Sequence, residues 1–505
     1  MHDELLLGVD VGTTNVKALV FDTAGKLRAA GSTPTPVRQP RPGWAEYDPE
    51  TLWGTVAAVV RQALGQVDAR RVRGVAVASM AEAGLLVDGA GRALTPIIAW
   101  YDSRSDPQYR WWLDRVGADT FLPVAGNRPN PIFGVFKLMW LRDNAADVYA
   151  SAARWLHVAD YVAARLGGAP ATDYSLATRT MLLDLPRLRW ADAIVDAAGL
   201  RRDLLPDLVP SGARSGSLGA EAAAATGLPA GIAVGAGGHD HSCGALAAGV
   251  YAGGVALDSM GTAEPAFLPL DALRIDWSGP IACSFGAHVA RGKYYAARGI
   301  RSSGASVAWA RRLLAYGGEP AAPERERMQA AAASAPPGSR GVLFLPRLAP
   351  IDRGGFVGLT ADAGPGELGR AVYEGLSYEL RSYLEAIERT IGIRAESIRL
   401  IGGGARDALW TQIKADVLGR PLRVLDMKES VALGAALLGG VAAGVYSDTA
   451  AAASAVRHTE RLVVPDPARA AFYEDCYHEV YLRLAPMLGQ LNDAIDRLAG
   501  LGQKL

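Results

Sequence analysis

An apolar run ending in Asp10, a turn of Gly-Thr-Thr-Asn and a lysine at the start of a second apolar run make up "LLLGVDVGTTNVKALVFD", Leu5 to Asp22. Such a turn exposes consecutive backbone N–H groups and the hydroxyls of Thr13 and Thr14, the donors that phosphate oxygens require, and Gly12 leaves room for close approach. Lys17 adds positive charge. Asp10 at the shoulder offers oxygen to Mg2+, which takes one or two carboxylates and completes its shell with substrate phosphates and water. A plain β-turn with a solvated aspartate is the competing reading of the same residues. A second cluster, "GGHDHSCGALA", sets Asp240 between His239 and His241. His-Asp-His supplies too few ligands at recognisable spacing for a transition-metal site, and phosphate-bound Mg2+ prefers oxygen.

The elements that must carry these groups alternate between strand and helix. "RVRGVAVASM" and "GVALDSMGTAEPAF" are β-like, whereas "DPETLWGTVAAVVRQAL", "GELGRAVYEGLSYELRSYLEAIERTIG" and "ARAAFYEDCYHEVYLRLAPMLGQL" repeat apolar residues at helical spacing. The chain is therefore expected to be α/β, and its 505 residues exceed one compact core. Turn-rich stretches from Gly31 to Gly43, Pro206 to Gly219 and Pro320 to Gly341 are expected as loops. "VALGAALLGGVAAGVY", Val431 to Tyr446, falls short of the ~20 residues that span a bilayer and is expected as a buried helix. Basic and acidic residues balance at 52 each, so neither nucleic acid nor an anionic membrane is an expected partner. Cys243, Cys283 and Cys476 follow no pattern, and the N-terminus lacks export features, so a cytoplasmic location is expected. One internal echo stands out: "GVDVGTTNVKALVFD" and "GVALDSMGTAEPAF" each hold a strand, an aspartate, a Gly-Thr pair and a return strand, which suggests two similar domains.

Seven stretches in order, from Asp10–Asp22 through "IIAWYDSRS", "ATDYSLATRTMLLDL", "GAGGHDHSCGALAAG", "SMGTAEP", "LFLPRLAPIDRGGFVGL" and "IGGGARDALWTQIKADVLGRPL", resemble the FGGY carbohydrate kinases over nearly the whole chain. The resemblance implies two ribonuclease-H-like domains of the actin and sugar-kinase type, residues 1–248 and 249–505, with ATP and a sugar meeting in a cleft between them. It implies that Asp10, Gly12, Thr13, Thr14 and Lys17 form a first phosphate loop, and Gly261 and Thr262 a second. Gly402, Gly403 and Gly404 would carry the nucleoside, with Ser303 and Gly304 approaching it. Asp240 matches the family's catalytic aspartate, whose carboxylate accepts the proton of the attacking hydroxyl. A helix N-cap is its bland role. Asp10 and Asp240 are the candidate ligands of Mg2+. A homodimer is compatible with the resemblance.

Substrate identity is carried by fewer residues. In the family's xylulose and gluconate kinases a Gln and a His follow the third strand; here Met80 and Glu82 stand in their places. Glu82 is similar to the glutamate of glycerol kinases, but their neighbouring arginine is Ala81 and a sugar-site tyrosine is Ile132, which argues against glycerol itself. Trp100, Asp102 and Arg104 match a W-x-D-x-R run in which an aromatic face covers the carbon skeleton and polar groups orient the site. Of the two histidines, His239 is expected at the sugar pocket. The resulting expectation is an ATP-dependent kinase of a ketose or sugar alcohol of four to six carbons. Its alternatives are a glycerol kinase, or an actin-like or chaperone-like ATPase with no sugar substrate.

Overall fold

The computed structural model describes residues 4–314, 324–348 and 353–502; Ala349 to Asp352 of the "LFLPRLAPIDRGGFVGL" motif lie outside them. The chain divides into two compact units, one of residues 1–253, 269–296 and 429–457, the other of 254–268, 297–428 and 458–505. The expected boundary at 248/249 falls beside the first crossing, but two later segments return to the first unit.

The first unit is built on strands β1 (Leu5–Val11), β2 (Asn15–Asp22), β3 (Leu27–Pro34), β4 (Val72–Ser79), β5 (Arg214–Ser217) and β6 (Ala233–His239), in the sheet order β5-β6-β4-β1-β2-β3. β1 pairs antiparallel with β2 and parallel with β4, which in turn pairs parallel with β6. Their near-continuous apolar composition follows from burial on both faces: in β1, Leu7, Val9 and Val11 have no exposed surface. Helix α1 (Pro49–Leu64), capped by Asp48 on the Thr51 N–H, is one cover. Helix α2 (Asp240–Ala247) leaves the end of β6.

The second sheet contains β7 (Val255–Ser259), β8 (Glu264–Leu270), β9 (Ser284–Ala287), β10 (Tyr294–Ile300), β11 (Ser397–Ile401), β12 (Leu422–Leu425) and β13 (Glu460–Val463), in the order β9-β10-β8-β7-β11-β12-β13. β7 pairs antiparallel with β8 and parallel with β11, which pairs parallel with β12. The relations of β1, β2 and β4 thus recur in β7, β8 and β11. The sequence echo therefore marks equivalent hairpins at the centres of two sheets, as expected of a duplicated ribonuclease-H-like fold. Helices α3 (Ser303–Leu313), α4 (Pro365–Ile391) and α5 (Ala408–Leu418) belong to this unit.

The glycine-rich apolar stretch forms helix α6 (Ser430–Ala442), almost wholly buried, and lies on the first sheet. Its glycines allow backbone-to-backbone approach: a Cβ on Gly8 of β1 would sit 1.8 Å from the Ala432 carbonyl oxygen, and one on Gly434 would sit 2.0 Å from that of Cys243. Part of the expected Pro320–Gly341 loop is helical, Glu324–Ser334, because "ERERMQAAAAS" between the prolines consists of strong helix formers.

Candidate active site

In the first unit the turn between β1 and β2 is tight. The Gly12 N–H donates to the Asn15 carbonyl at 3.0 Å, and the Thr35 hydroxyl holds the Gly12 carbonyl at 2.7 Å. Thr13 and Thr14 are exposed, and the Trp100 indole donates to the Thr13 hydroxyl at 2.9 Å. Lys17 pairs with Glu429 at 2.8 Å, so its ammonium already has a carboxylate partner at the foot of α6. Burial pushes the Asp10 carboxyl up to about 7, and the charges of Asp240 and Glu429 push it the same way against Lys17.

Asp240 behaves oppositely. Burial disfavours its charge, but the His241 and His239 imidazoles and the His241 N–H outweigh burial and bring it down to about 2. His239 Nε2 lies 3.1 Å from Asp240 Oδ1, which also accepts the His241 N–H at 2.6 Å. Oδ2 has no hydrogen-bond partner among the described residues. Asp240 is the first residue of α2, and His239 occupies the N-cap position instead. The donor atoms of His239, Asp240 and His241 lie within 4.8 Å of one another. The end of β6 is fixed by the Ser175 hydroxyl, which accepts the His239 N–H at 2.9 Å.

Glu82 sits where β4 turns away. The Ala83 N–H donates to the Ala81 carbonyl at 2.7 Å across it, and Glu82 has φ +58°. A three-residue turn with its centre in the left-handed region is costly for a side chain with a Cβ. The carboxylate is buried and its Oε1 accepts from Arg179 Nε at 2.6 Å. Arg179 in turn lies over the Phe133 ring at 4.8 Å and beside Tyr295. A strand-end charge facing water is therefore not what Glu82 is.

Met80 is 3% exposed and packs in the hydrophobic core. Asp102 and Arg104 are buried and satisfy each other: Asp102 takes Arg104 Nε at 2.8 Å and the Ala45 N–H at 2.6 Å, while Arg104 reaches Glu46 at 3.1 Å and lies 4.0 Å over Trp44. Lys137, wholly buried, donates to the carbonyls of Ile132 at 2.5 Å and Trp100 at 3.4 Å, and burial pulls its ammonium down to about 8. Sequence reasoning did not name Arg179 and Lys137 as candidates, although they contact Glu82 and Trp100. A lone cation inside an otherwise apolar or small-residue stretch was the available signal, since a buried charge needs a partner.

The second unit brings the remaining candidates together around Met260. The Met260 N–H donates to the Ile401 carbonyl at 2.9 Å, and its carbonyl accepts the Gly404 N–H at 3.1 Å. The Gly304 N–H donates to the Gly261 carbonyl at 3.0 Å and the Ala305 N–H to that of Thr262 at 3.3 Å. Gly402 has φ +94°, and a Cβ there would meet the Met260 carbonyl at 2.7 Å. Gly403 is open, with nothing within 4 Å of a built Cβ. Ser303 begins α3 and is fully buried.

Two sheets of repeated connectivity, each with a Gly-Thr turn at the tip of its central hairpin, define a ribonuclease-H-like fold of the actin and sugar-kinase type. Residues 5–247 match the N-terminal domain of the FGGY family of carbohydrate kinases and residues 278–443 its C-terminal domain. The chain belongs to this family, and with it to the ATP-dependent carbohydrate kinases. It is 32% identical to a xylulose kinase of Klebsiella pneumoniae, over 96% of this chain and 100% of that protein. It is 30% identical to an L-fuculokinase of Escherichia coli (strain K12), over 92% of this chain and 98% of that one. The crystal structure of a xylulose kinase from Rhodospirillum rubrum superposes with a TM-score of 0.85 at 28% identity, covering 96% and 99% of the two chains.

Proposed function

We propose that this kinase transfers the γ-phosphoryl group of ATP to a hydroxyl of a ketose or sugar alcohol of four to six carbons, with Asp240 as the general base. The observation that carries the reading is the opposed tuning of two carboxylates in one unit, Asp10 up to about 7 and Asp240 down to about 2. Asp240 stays ionised at neutral pH, with Oδ2 left to accept the hydroxyl proton. A weak base suffices, because phosphoryl transfer asks for positioning and charge neutralisation more than for early proton removal.

Asp10 fits the place of a divalent cation: its buried carboxyl carries the repulsion of Asp240 and Glu429, which a cation would relieve. Mg2+, when bound there directly or through water, neutralises phosphate charge. Thr13 and Thr14 offer donors to phosphate, as does Thr262 in the second unit, while Gly12 and Gly261, whose N–H groups are engaged within their own turns, leave room for close approach. Gly402 to Gly404 give the nucleoside a surface without side chains.

On the sugar side, Glu82 is the candidate reader of hydroxyls. A charged acceptor binds hydroxyl groups roughly twice as strongly as a neutral one, and the strained turn at φ +58° holds it in place. Arg179 neutralises it without removing it. Trp100 is the candidate apolar wall, its loop held by the Asp102–Arg104 pair and by Lys137. The names of the two relatives above denote ketose kinases, which supports the ketose reading. Loss of the arginine and tyrosine at Ala81 and Ile132 supports a substrate other than glycerol. No helix of the described residues is long and apolar enough to cross a membrane, and an ATP-consuming kinase of this kind fits the cytoplasm.

The test is an ADP-release assay across ketoses, aldoses, alditols and sugar acids at fixed ATP and Mg2+. A preferred ketose or alditol is the expected result. ATP hydrolysis indifferent to every polyol would overturn the reading.

A further inference from the structure

Three buried charges in the second unit have no part in the site described above. Lys414 on α5 has no exposed side-chain surface; its ammonium binds Asp258 at the end of β7 and, at 2.6 Å, Glu264 at the start of β8. Asp258 and Glu264 are equally buried, at 2% and 0%. The second oxygen of Glu264 accepts the hydroxyl of Ser303, the first residue of α3. Asp258 Oδ1 is buried with no hydrogen-bond partner.

Such a group is a poor device for stability. Three charges removed from water recover their desolvation cost only with complete pairing, and well-packed apolar residues of similar volume commonly serve as well or better. What the network does uniquely is geometric. Asp258 and Glu264 are the two shoulders of the loop Ser259-Met260-Gly261-Thr262-Ala263, and one ammonium holds both. That ammonium stands on the helix that follows Gly402–Gly404, and Glu264 reaches on to the helix that begins at Ser303. All three segments expected around the nucleotide are therefore tied to one four-residue network, in addition to the backbone bonds that Met260, Gly261 and Thr262 make to them.

We propose that Lys414, Asp258 and Glu264 are positioning residues that preorganise the nucleotide-binding loop of the second unit. The inference rests on the nucleotide role proposed above for Gly261, Thr262 and Gly402–Gly404. It separates loop geometry from fold stability, because the apolar replacement of all three residues keeps the core filled while releasing the loop from its fixed point.

The experiment uses the full-length protein, its best sugar, ATP and Mg2+, with a non-hydrolysable ATP analogue for calorimetry. Compared with wild type are Lys414→Met, the triple variant Asp258→Leu/Glu264→Met/Lys414→Met, and Ser303→Ala, which removes only one hydroxyl from the network. In the triple variant, a melting temperature near that of wild type, a tenfold or larger rise in analogue Kd and in KM for ATP, and a sugar KM within twofold are expected. A folded triple variant that binds the analogue like wild type overturns the inference, as does a parallel rise of both KM values. Should the Lys414 variants fail to fold, Ser303→Ala decides: a threefold or larger rise in KM for ATP alone supports positioning, and unchanged kinetics oppose it. A wild-type protein that binds no analogue would instead bring down the nucleotide reading on which the inference stands.

Discussion

In the proposed reading Asp240 and Glu82 make different demands on the same sugar, and single substitutions separate them. Asp240→Asn keeps the shape and loses the acceptor, so turnover should fall by roughly two to four orders of magnitude while sugar binding weakens much less. A near-wild-type rate would return Asp240 to a helix-start role. Glu82 holds its partner before as well as during transfer. Glu82→Ala should therefore raise the KM for sugar strongly and leave that for ATP nearly untouched, and an unaltered sugar KM would remove it from the site. The Ala variant stays strained at φ +58°, whereas Glu82→Gly is at ease there. If the two variants share the raised sugar KM, the lost carboxylate is its cause and not the turn. Asp10→Ala, finally, should shift the Mg2+ titration of activity to higher concentration, and an identical titration would leave Asp10 as a turn residue.

At the scale of elements, the segment after β9 holds a buried histidine that couples folding to pH. His288 accepts the Ala290 N–H on Nδ1 at 2.8 Å and its Nε2 faces the Val250 carbonyl at 3.2 Å, and burial brings it down to about 3 from 6.5. The folded state keeps the ring neutral where the unfolded chain protonates it. Its contribution to stability is complete above pH 6.5 and is lost as pH falls toward 3, at about 1.4 kcal/mol per pH unit. Denaturant unfolding of His288→Gln should show a correspondingly shallower loss between pH 6 and 4 than wild type. Equal slopes would mean that this ring does not set the acid limb. Helix α6 illustrates the complementary constraint, since its glycines are spacing devices and not hinges.

At the scale of the molecule, residues 429–457 belong to the first unit although more than a hundred residues of the second precede them. A fragment ending at Ala296, which keeps the other segments of the first unit, would leave Gly8, Gly74 and the α2 backbone facing water where α6 should lie. It should show no cooperative thermal transition, and a peptide of residues 429–457 added in trans should restore one. Cooperative unfolding of the fragment alone would show that α6 is dispensable to the first sheet.

The two Gly-Thr turns, the place of Asp240 between two histidines and the α/β alternation were determined by the sequence alone, because each depends on residues within one turn or one period of the chain. Even the duplication showed, as a short echo at the two central hairpins. Tertiary structure decided what depends on partners far along the chain. Glu82 meets Arg179 across 97 residues and Lys414 meets Asp258 across 156, and no local pattern announces either pair. Met80, expected at the sugar from its position in a motif, packs in the hydrophobic core. The interleaved division of the chain was hidden for the same reason: the Val431–Tyr446 stretch reads as a buried helix from composition, but which sheet buries it is set by the glycines it meets on β1 and β4.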